Sequence, residues 1–321
     1  MLQKVNRKLE KLMPVITPVS VLIGVLLASY LKGFSYLIPW IFAFMTFTGS
    51  LGSNFKSFKE AVSHPVPILA ALGLLHVVMP LWALAIGHLT FNGDAYTITG
   101  LVMAMVIPTG ITSFVWVSIY KGNIALTLSI ILIDTMLSPF IVPLTLSLIV
   151  GQNIEMDVWG IMKGLLVMVV IPSLIAMTLN QSTNGKAKQV LGAPLAPFSK
   201  IFLGITVMLN SAVVAPYLSH VTLKLVGIVL VIFVIASTGY LFSFFTGLLL
   251  KRDKGTVVSL IFTGGMRNIS AGAVIAVAYF PPAVAVPVVV GMLFQQVLAS
   301  LNGALLDKYY KKQVHKESLS A

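Results

Sequence analysis

Long apolar stretches, separated by short polar or Gly/Pro-rich breaks, run along almost the whole chain. An α-helix needs about 20 mostly apolar residues to cross the hydrocarbon core of a membrane. Ten stretches approach this length, at residues 14–31, 36–53, 65–90, 95–120, 123–150, 158–180, 197–218, 223–250, 255–280 and 282–306. They are too long, and alternate too little, to be the strands of a membrane barrel. The pattern therefore predicts an all-α polytopic membrane protein with ten spans.

The composition supports a membrane protein and disfavours other classes. Hydrophobic residues make up 58% of the 321 residues and charged residues only 9%, whereas a soluble domain carries about 25% charged residues. The absence of cysteine excludes disulfides and thiolate metal sites. An intramembrane enzyme is disfavoured because neither an HExxH zinc motif nor a GxSxG elbow occurs. A non-transporting sensor is disfavoured because the segment after the last span, residues 307–321, is too short for a soluble domain.

The Lys and Arg residues predict the orientation of the spans, because cytoplasmic loops are enriched in positive charge. With an internal N-terminus, only Lys32, Lys163 and Lys224 fall outside, and Arg267 lies within a span. The others fall on the cytoplasmic side: Lys4, Arg7, Lys8, Lys11, Lys56, Lys59, Lys121, Lys186, Lys188, Lys200, Lys251, Arg252, Lys254, Lys308, Lys311, Lys312 and Lys316. This bias explains the net charge of +12 without a nucleic-acid partner. It predicts two cytoplasmic termini, a basic cytoplasmic tail at 307–321 and, without a visible transit peptide, a bacterial-type plasma membrane.

Two similar interruptions divide the chain into halves. Residues 108–113 interrupt span four and residues 263–270 interrupt span nine, about half the chain apart. Five spans in each half would insert the second half upside down, as in transporters built from inverted repeats. We therefore predict repeats at about 10–151 and 155–310 within a single membrane unit.

The interruptions predict an anion site. Unwound backbone at membrane depth survives only where protein or a wet cavity satisfies it. Helices that restart after a break present free N–H groups and a partial positive charge. The candidate binding residues are Thr109, Gly110, Thr112, Ser113, Gly264, Gly265, Arg267, Asn268 and Ser270. The alternative is a pair of Pro/Gly kinks without a function.

Two charged residues lie where the spans should be apolar. An ionisable group at the bilayer centre costs at least about 2.5–3.5 kcal/mol on insertion scales. We hypothesise that Arg267 contributes fixed positive charge and that Asp134 pairs with it or holds it in place; a purely structural ion pair is the alternative.

Three further polar residues within the spans are weaker candidates. His76 is a candidate proton relay, since its pKa is ordinarily near neutral, or a hydrogen-bonded structural residue. Gln295 and Gln296 either line the cavity or bridge helices.

At these residues the chain resembles the bile acid:sodium symporter superfamily, and its bacterial members in particular, over roughly residues 10–310. The resemblance rests on residues 78–80, 108–113, 121–126, 138–139 and 265–268. It implies two inverted five-helix repeats in which broken helices four and nine cross. It also implies a panel domain (14–31, 36–53, 158–180 and 197–218) and a core domain (65–150 and 223–306). Members of the family move bile acids or smaller organic anions such as pantoate and 2-oxo acids, usually coupled to sodium.

The positions that match the family's sodium sites have changed. Family amides are replaced by Leu75, Phe114 and Arg267, a carboxylate by Thr263, and a hydroxyl one turn from Thr127 by Ile131. Sodium, as a hard cation, prefers several oxygen ligands. We therefore predict a small-organic-anion transporter in which the Arg267 guanidinium substitutes for a sodium ion, while a sodium-coupled symporter is the alternative. Thr127, Thr263, Asp134 and His76 stay candidates for ion coupling, so proton coupling, uniport and exchange are all open.

No cofactor is predicted. The expected partners are the organic anion and the lipid bilayer. The sequence leaves a monomer and a weak homo-oligomer open.

Overall fold

A computed structural model describes residues 2–53, 55, 65–151, 154 and 156–320. Lys56 and Lys59, two of the predicted cytoplasmic charges, lie outside the described residues. So do the side chains of Lys4, Arg7, Lys8, Lys11 and Lys316, and residue 321 of the predicted tail.

The described part of the chain is built from α-helices, which confirms the predicted all-α class. The helices are α1 (Leu2–Leu26), α2 (Ala28–Ser50), α3 (Pro65–Thr90), α4 (Ala95–Val106), α5 (Ser113–Ile119), α6 (Ile124–Val150), α7 (Val158–Ser182), α8 (Lys188–Leu218), α9 (Leu223–Leu249), α10 (Lys254–Gly265), α11 (Ile269–Tyr279) and α12 (Pro282–Ser320). Between residues 2 and 320, the described segments contain no strand and only one isolated β-bridge.

Six described helices, α3, α6, α7, α8, α9 and α12, are long and apolar enough to cross a membrane. The number is seven if α1 and α2, which bend by 86° at their junction, form one span. Helices α4 and α11 are apolar but shorter. Six or seven spans are thus identified by helix length and composition, and the predicted count of ten stays a prediction.

Large apolar side chains cover the outside of the long helices. Leu148 on α6, and Leu230 and Leu249 on α9, are 74%, 61% and 81% exposed. Soluble monomers rarely expose contiguous apolar patches of more than a few hundred Å². This surface is suited to lipid hydrocarbon rather than to water.

Three one-turn π-helices occur in the described long helices, two inside a helix and one at the start of α8, and each ends two residues before a proline. They are Leu74–Val78 in α3, Leu166–Val170 in α7 and Lys188–Gly192 in α8, which precede Pro80, Pro172 and Pro194. Proline lacks an N–H and its ring clashes with the carbonyl four residues earlier, so the preceding turn widens. The wide turn in α3 carries His76.

The helices pack in two groups. In the first group α1 packs on α8, and α2 packs on α7 and α8. In the second group α4 packs on α3 and α12, α10 packs on α9, α5 and α6, and α11 packs on α12. The buried apolar core runs through both groups, with Leu101, Ile161 and Val288 fully buried.

Helices α4 and α10 begin in the same way. Each is 12 residues long and starts after an aspartate, Asp94 or Asp253, whose carboxylate accepts the N–H of the threonine three residues later. Such caps satisfy one of the free N–H groups of the first turn. The Thr256 hydroxyl also donates to Asp253 at 2.6 Å and holds the pKa of that carboxyl below its usual range.

The α4–α12 contact requires a glycine at position 100. A Cβ on Gly100 would approach the Val284 carbonyl oxygen to 2.4 Å. We expect Gly100→Ala to lower the free energy of unfolding by about 1–3 kcal/mol, the usual cost of overpacking. Gly73→Ala is the control, because a Cβ there meets nothing within 4 Å, and alanine in a helix interior is favoured by about 0.5–1 kcal/mol. Equal thermal unfolding shifts in the two purified variants would contradict this account.

Candidate functional site

The breaks between α4 and α5 and between α10 and α11 lie against each other. Residues 107–112 and 266–268 leave the helical conformation. Thr109 and Arg267 form an antiparallel bridge across the two breaks, and the Asn268 N–H donates to the Pro108 carbonyl at 2.7 Å. Each break thus supplies hydrogen-bond partners to the other, which unwound backbone at membrane depth requires.

The second break is shorter than predicted. Thr263, Gly264 and Gly265 lie in the last turn of α10 rather than in the break. The Thr263 hydroxyl donates to the Ser259 carbonyl, four residues earlier, at 2.7 Å. This turn is helical although it contains two consecutive glycines.

Glycine at position 110 allows the two backbones to approach. The Gly110 N–H donates to the Met266 carbonyl at 3.3 Å. A Cβ on Gly110 would lie 2.8 Å from the carbonyl oxygen of Arg267, a backbone atom that cannot easily move away. The predicted binding residue Gly110 therefore also has a structural reason to be glycine.

Thr109 joins the first break to the end of α10. Its hydroxyl, which is buried, donates to the carbonyls of Thr263 at 2.7 Å and of Met266 at 3.1 Å. The Thr263 carbonyl lies in the last turn of α10 and the Met266 carbonyl at the start of the second break, where intrahelical partners run out. One side chain thus donates to two backbone groups across the junction of residues 107–112 with residues 266–268, which we call the crossover.

Asp134, from the middle of α6, holds the first break in place. The carboxylate is fully buried, and one of its oxygens accepts the Thr109 N–H at 2.6 Å. The other lies 2.5 Å from Nε2 of His76. An ionised carboxylate only accepts hydrogen bonds, so Nε2 carries the donated hydrogen in that state. Nδ1 of His76 is buried without a partner among the described residues.

Arg267 is 3% exposed and contacts carbonyls rather than a carboxylate. Nε donates to the Met105 carbonyl at 3.0 Å and Nη1 donates to the Gly264 carbonyl at 2.7 Å. These oxygens lie in the last turns of α4 and α10, at the negative ends of both helix dipoles. Among the described ion pairs, Asp134 is joined to His76 and not to Arg267. The guanidinium therefore stabilises two helix C-termini at once.

A cavity of about 350 Å³ lies beside the crossover. Six of the predicted binding residues line it: Thr109, Gly110, Thr112, Arg267, Asn268 and Ser270. Residues from α2, α7 and α8 form the opposite walls, and Gln295 and Gln296 of α12 also contribute. The described lining residues include the cations Lys200 and Arg267, and none of them is Asp or Glu. The cavity is thus suited to a negatively charged solute with apolar parts.

The other predicted site residues lie away from the cavity lining. Ser113 is buried in the first turn of α5, and Gly264 and Gly265 lie at the end of α10. The Thr127 hydroxyl donates at 2.8 Å to the carbonyl of Asn123, the residue that caps the start of α6. The Thr263 hydroxyl likewise donates to a carbonyl of its own helix, that of Ser259.

Sequence reasoning missed the wall opposite the breaks. Thr46, Thr48 and Ser50 of α2 line the cavity, together with Lys200 of α8. Hydroxyls at every second position near the end of α2 were the available signal. The sequence does not show which helix faces the crossover, so these hydroxyls could not be assigned to the site from the sequence.

The family follows from comparison with known proteins. Residues 39–237, more than half of the chain, match the model of the Sodium Bile acid symporter family. The chain therefore belongs to this family, whose members are membrane transporters. The resemblance seen in the sequence motifs is confirmed.

Individual relatives cover most of the chain. It is 55% identical over 300 residues to the "Uncharacterized protein YbaS" of Bacillus subtilis (strain 168), covering 94% of this chain and 98% of that protein. It is 28% identical to the "Uncharacterized sodium-dependent transporter YocS" of the same organism, over 89% of each chain. A "Probable sodium/metabolite cotransporter BASS1, chloroplastic" of Oryza sativa subsp. japonica is 27% identical over 76% of this chain and 59% of that protein.

The Thr109 hydroxyl provides a test of the crossover. Thr109→Val keeps the side-chain shape but leaves two buried carbonyls without this donor, so we expect the free energy of unfolding to fall by about 1–3 kcal/mol. Thr99→Val is the matched control, because Thr99 on α4 is equally buried, at 1%, and its hydroxyl has no partner among the described residues. We expect that variant to be as stable as the wild type or more so in thermal unfolding. A control as unstable as Thr109→Val would show that burial, not the crossover bonds, sets the loss.

Proposed function

We propose that this protein carries a small organic anion across a bacterial-type plasma membrane by alternating access, without obligatory sodium coupling. The observation that carries the proposal is the cavity at the crossover, where the described part of the lining holds two cations and no carboxylate. Monocarboxylates such as pantoate or 2-oxo acids, and larger bile acid-like anions, are the substrate classes that we infer from the family. Both termini face the cytoplasm in this proposal, as the Lys and Arg distribution predicts.

The proposed architecture has ten spans in two inverted repeats. Helices α4 and α5 would form one interrupted span, and α10 and α11 another. The equal lengths and matching aspartate caps of α4 and α10 support this assignment. So does the direct bridge between Thr109 and Arg267, which lie at comparable distances beyond Asp94 and Asp253.

The positive end of α11 would help to hold the anion. Asn268 caps this helix, accepting the Ala271 N–H at 3.4 Å, and lines the cavity together with Ser270. Free N–H groups and the helix dipole favour a negative charge at such an end. Thr112 and the guanidinium of Arg267 are the other proposed contacts of a substrate carboxylate.

Arg267 would replace a coupling cation. Carbonyl oxygens at helix C-termini are the kind of ligand that a hard cation such as sodium prefers. Here the carbonyls of Met105 and Gly264 accept from the guanidinium instead.

Because the names of two relatives refer to sodium, a sodium-coupled symporter is the competing function. Proton coupling through Asp134 and His76, uniport and exchange are the remaining ways to drive transport.

Transport would follow from movement between two groups of helices. In this proposal the core (residues 65–150 and 223–306) moves against the panel (spans 14–31, 36–53, 158–180 and 197–218), which supplies the wall facing the crossover. Lys200, which the charge distribution predicts to lie on the cytoplasmic side, lines the cavity, so in this proposal the cavity is reached from the cytoplasm. The substrate must interact differently with the two states in order to shift their populations.

Sodium dependence is the most direct test. A thermal-shift panel of organic acids, with and without sodium, would first identify a ligand of the purified protein. Uptake of that ligand, as a radiolabelled compound, would then be measured in proteoliposomes. We expect uptake to persist when choline or potassium replaces sodium, because the guanidinium already occupies the helix-end carbonyls. Collapse of uptake in choline and in potassium would establish the sodium-coupled alternative.

Substitution of Arg267 tests the charge at the site. We expect Arg267→Ala to weaken binding of the identified anion at least tenfold, about 1.4 kcal/mol, and Arg267→Lys to weaken it less because the charge remains. The Arg252→Ala variant, which removes an exposed loop cation, should bind like the wild type. Binding would be measured by calorimetry on protein whose folding has been checked by thermal unfolding. Unchanged affinity in both Arg267 variants would refute the proposed role.

A further inference from the structure

A second, much smaller cavity lies between α9, α12 and the second break. Its volume is about 20 Å³, and it is lined by Arg267, by Tyr240 and Ile232 of α9, and by Gln295 and Leu298 of α12. About 10–15 Å³ is enough for one water molecule. The cavity therefore has room for a single atom-sized ligand and not for an organic acid.

Two residues that line this cavity carry buried donors without partners among the described residues. Nη2 of Arg267 and the hydroxyl of Tyr240 have no hydrogen-bond partner among the described residues. The two residues are only 3% and 1% exposed. A buried polar group left unpaired costs about 1–3 kcal/mol, and a charged group costs more. Both groups therefore require a ligand in the space that they share.

The Tyr240 ring is held where it is. It packs edge-on against Phe262, with the ring centroids 6.4 Å apart. It also lies against Gly265, where an added Cβ would clash with the ring. These contacts and its burial hold the ring in place in the wall of the cavity.

The chemistry of the lining favours an anion. Guanidinium N–H groups only donate, and the Tyr240 phenol and the Gln295 side-chain amide can each donate as well as accept. Ile232 and Leu298 are apolar, and none of the described residues that line the cavity is Asp or Glu. Asp134 is already engaged by His76 and Thr109, so the guanidinium has no carboxylate in contact among the described ion pairs.

From these observations we propose that the small cavity is a chloride site. The ion accepts from Nη2 of Arg267 and from the hydroxyl of Tyr240, so that both buried donors have a partner. It fixes Tyr240 against the end of α10 and so stabilises the crossover. The site is separate in function from the large cavity, although Arg267 and Gln295 line both.

Stability in the presence of chloride tests the proposal without any transported substrate. The purified full-length protein would be unfolded thermally while sodium chloride replaces sodium gluconate at constant ionic strength. We expect the unfolding temperature to rise with chloride and to saturate, as it does for a ligand that binds only the folded state. Bromide should act like chloride. No rise, or a rise without saturation, would overturn the proposal.

Tyr240→Phe separates a specific site from a general salt effect. The variant loses one donor, so we expect its chloride affinity to fall at least tenfold. In chloride-free buffer it should be as stable as the wild type or more stable, because an unpaired buried hydroxyl has been removed. Tyr217→Phe, at a half-exposed tyrosine on α8, is the matched control and should keep the wild-type chloride response. An unchanged response in Tyr240→Phe would contradict the site.

Crystals grown in bromide would locate the ion. We expect an anomalous peak within hydrogen-bond distance of Nη2 of Arg267 and of the Tyr240 hydroxyl. A water molecule there, without an anomalous signal, would overturn the assignment. None of these measurements depends on transport, so failure of the chloride site and failure of the proposed transport function are distinguishable.

Discussion

Unpaired backbone groups in a low-dielectric interior are the constraint on which the rest of this structure depends. Two helices end and restart in the middle of the fold, and neither break could exist alone in hydrocarbon. They persist because each supplies the missing partners of the other, through the Thr109–Arg267 bridge and the Asn268-to-Pro108 hydrogen bond. The same arrangement creates the cavity, since helix ends that meet at a crossing cannot fill the space around it.

The buried charges follow from the same constraint. Arg267 donates to carbonyls at the ends of α4 and α10, and Asp134 accepts from the backbone of the first break. Each charged group therefore satisfies backbone rather than simply neutralising the other. His76 completes the arrangement from the widened turn that precedes Pro80. The polar contacts of the two breaks thus lie within one group of helices, while the opposite wall of the cavity belongs to the other group.

Local sequence signals located the breaks better than they defined their edges. Pro108 lacks an N–H and its ring clashes with the carbonyl four residues earlier, which favours the end of a helix there. Gly264 and Gly265 weaken a helix without forbidding it, and α10 continues through both, so the second break was predicted to begin too early. Arg267 and Asp134 stood out as charges within spans, but the partner that Asp134 uses, His76, lies 58 residues away.

The sequence alone determined the all-α membrane class, the region of both interruptions and the polar residues within them. Those features depend on hydrophobic length and on the local chemistry of proline and glycine, which act over a few residues. Only the tertiary structure decided that Arg267 would contact carbonyls instead of Asp134, that α2 and α8 would face the crossover, and that Tyr240 would share a cavity with Arg267. Such contacts depend on how helices distant in the chain rotate and pack, and no local pattern specifies that geometry.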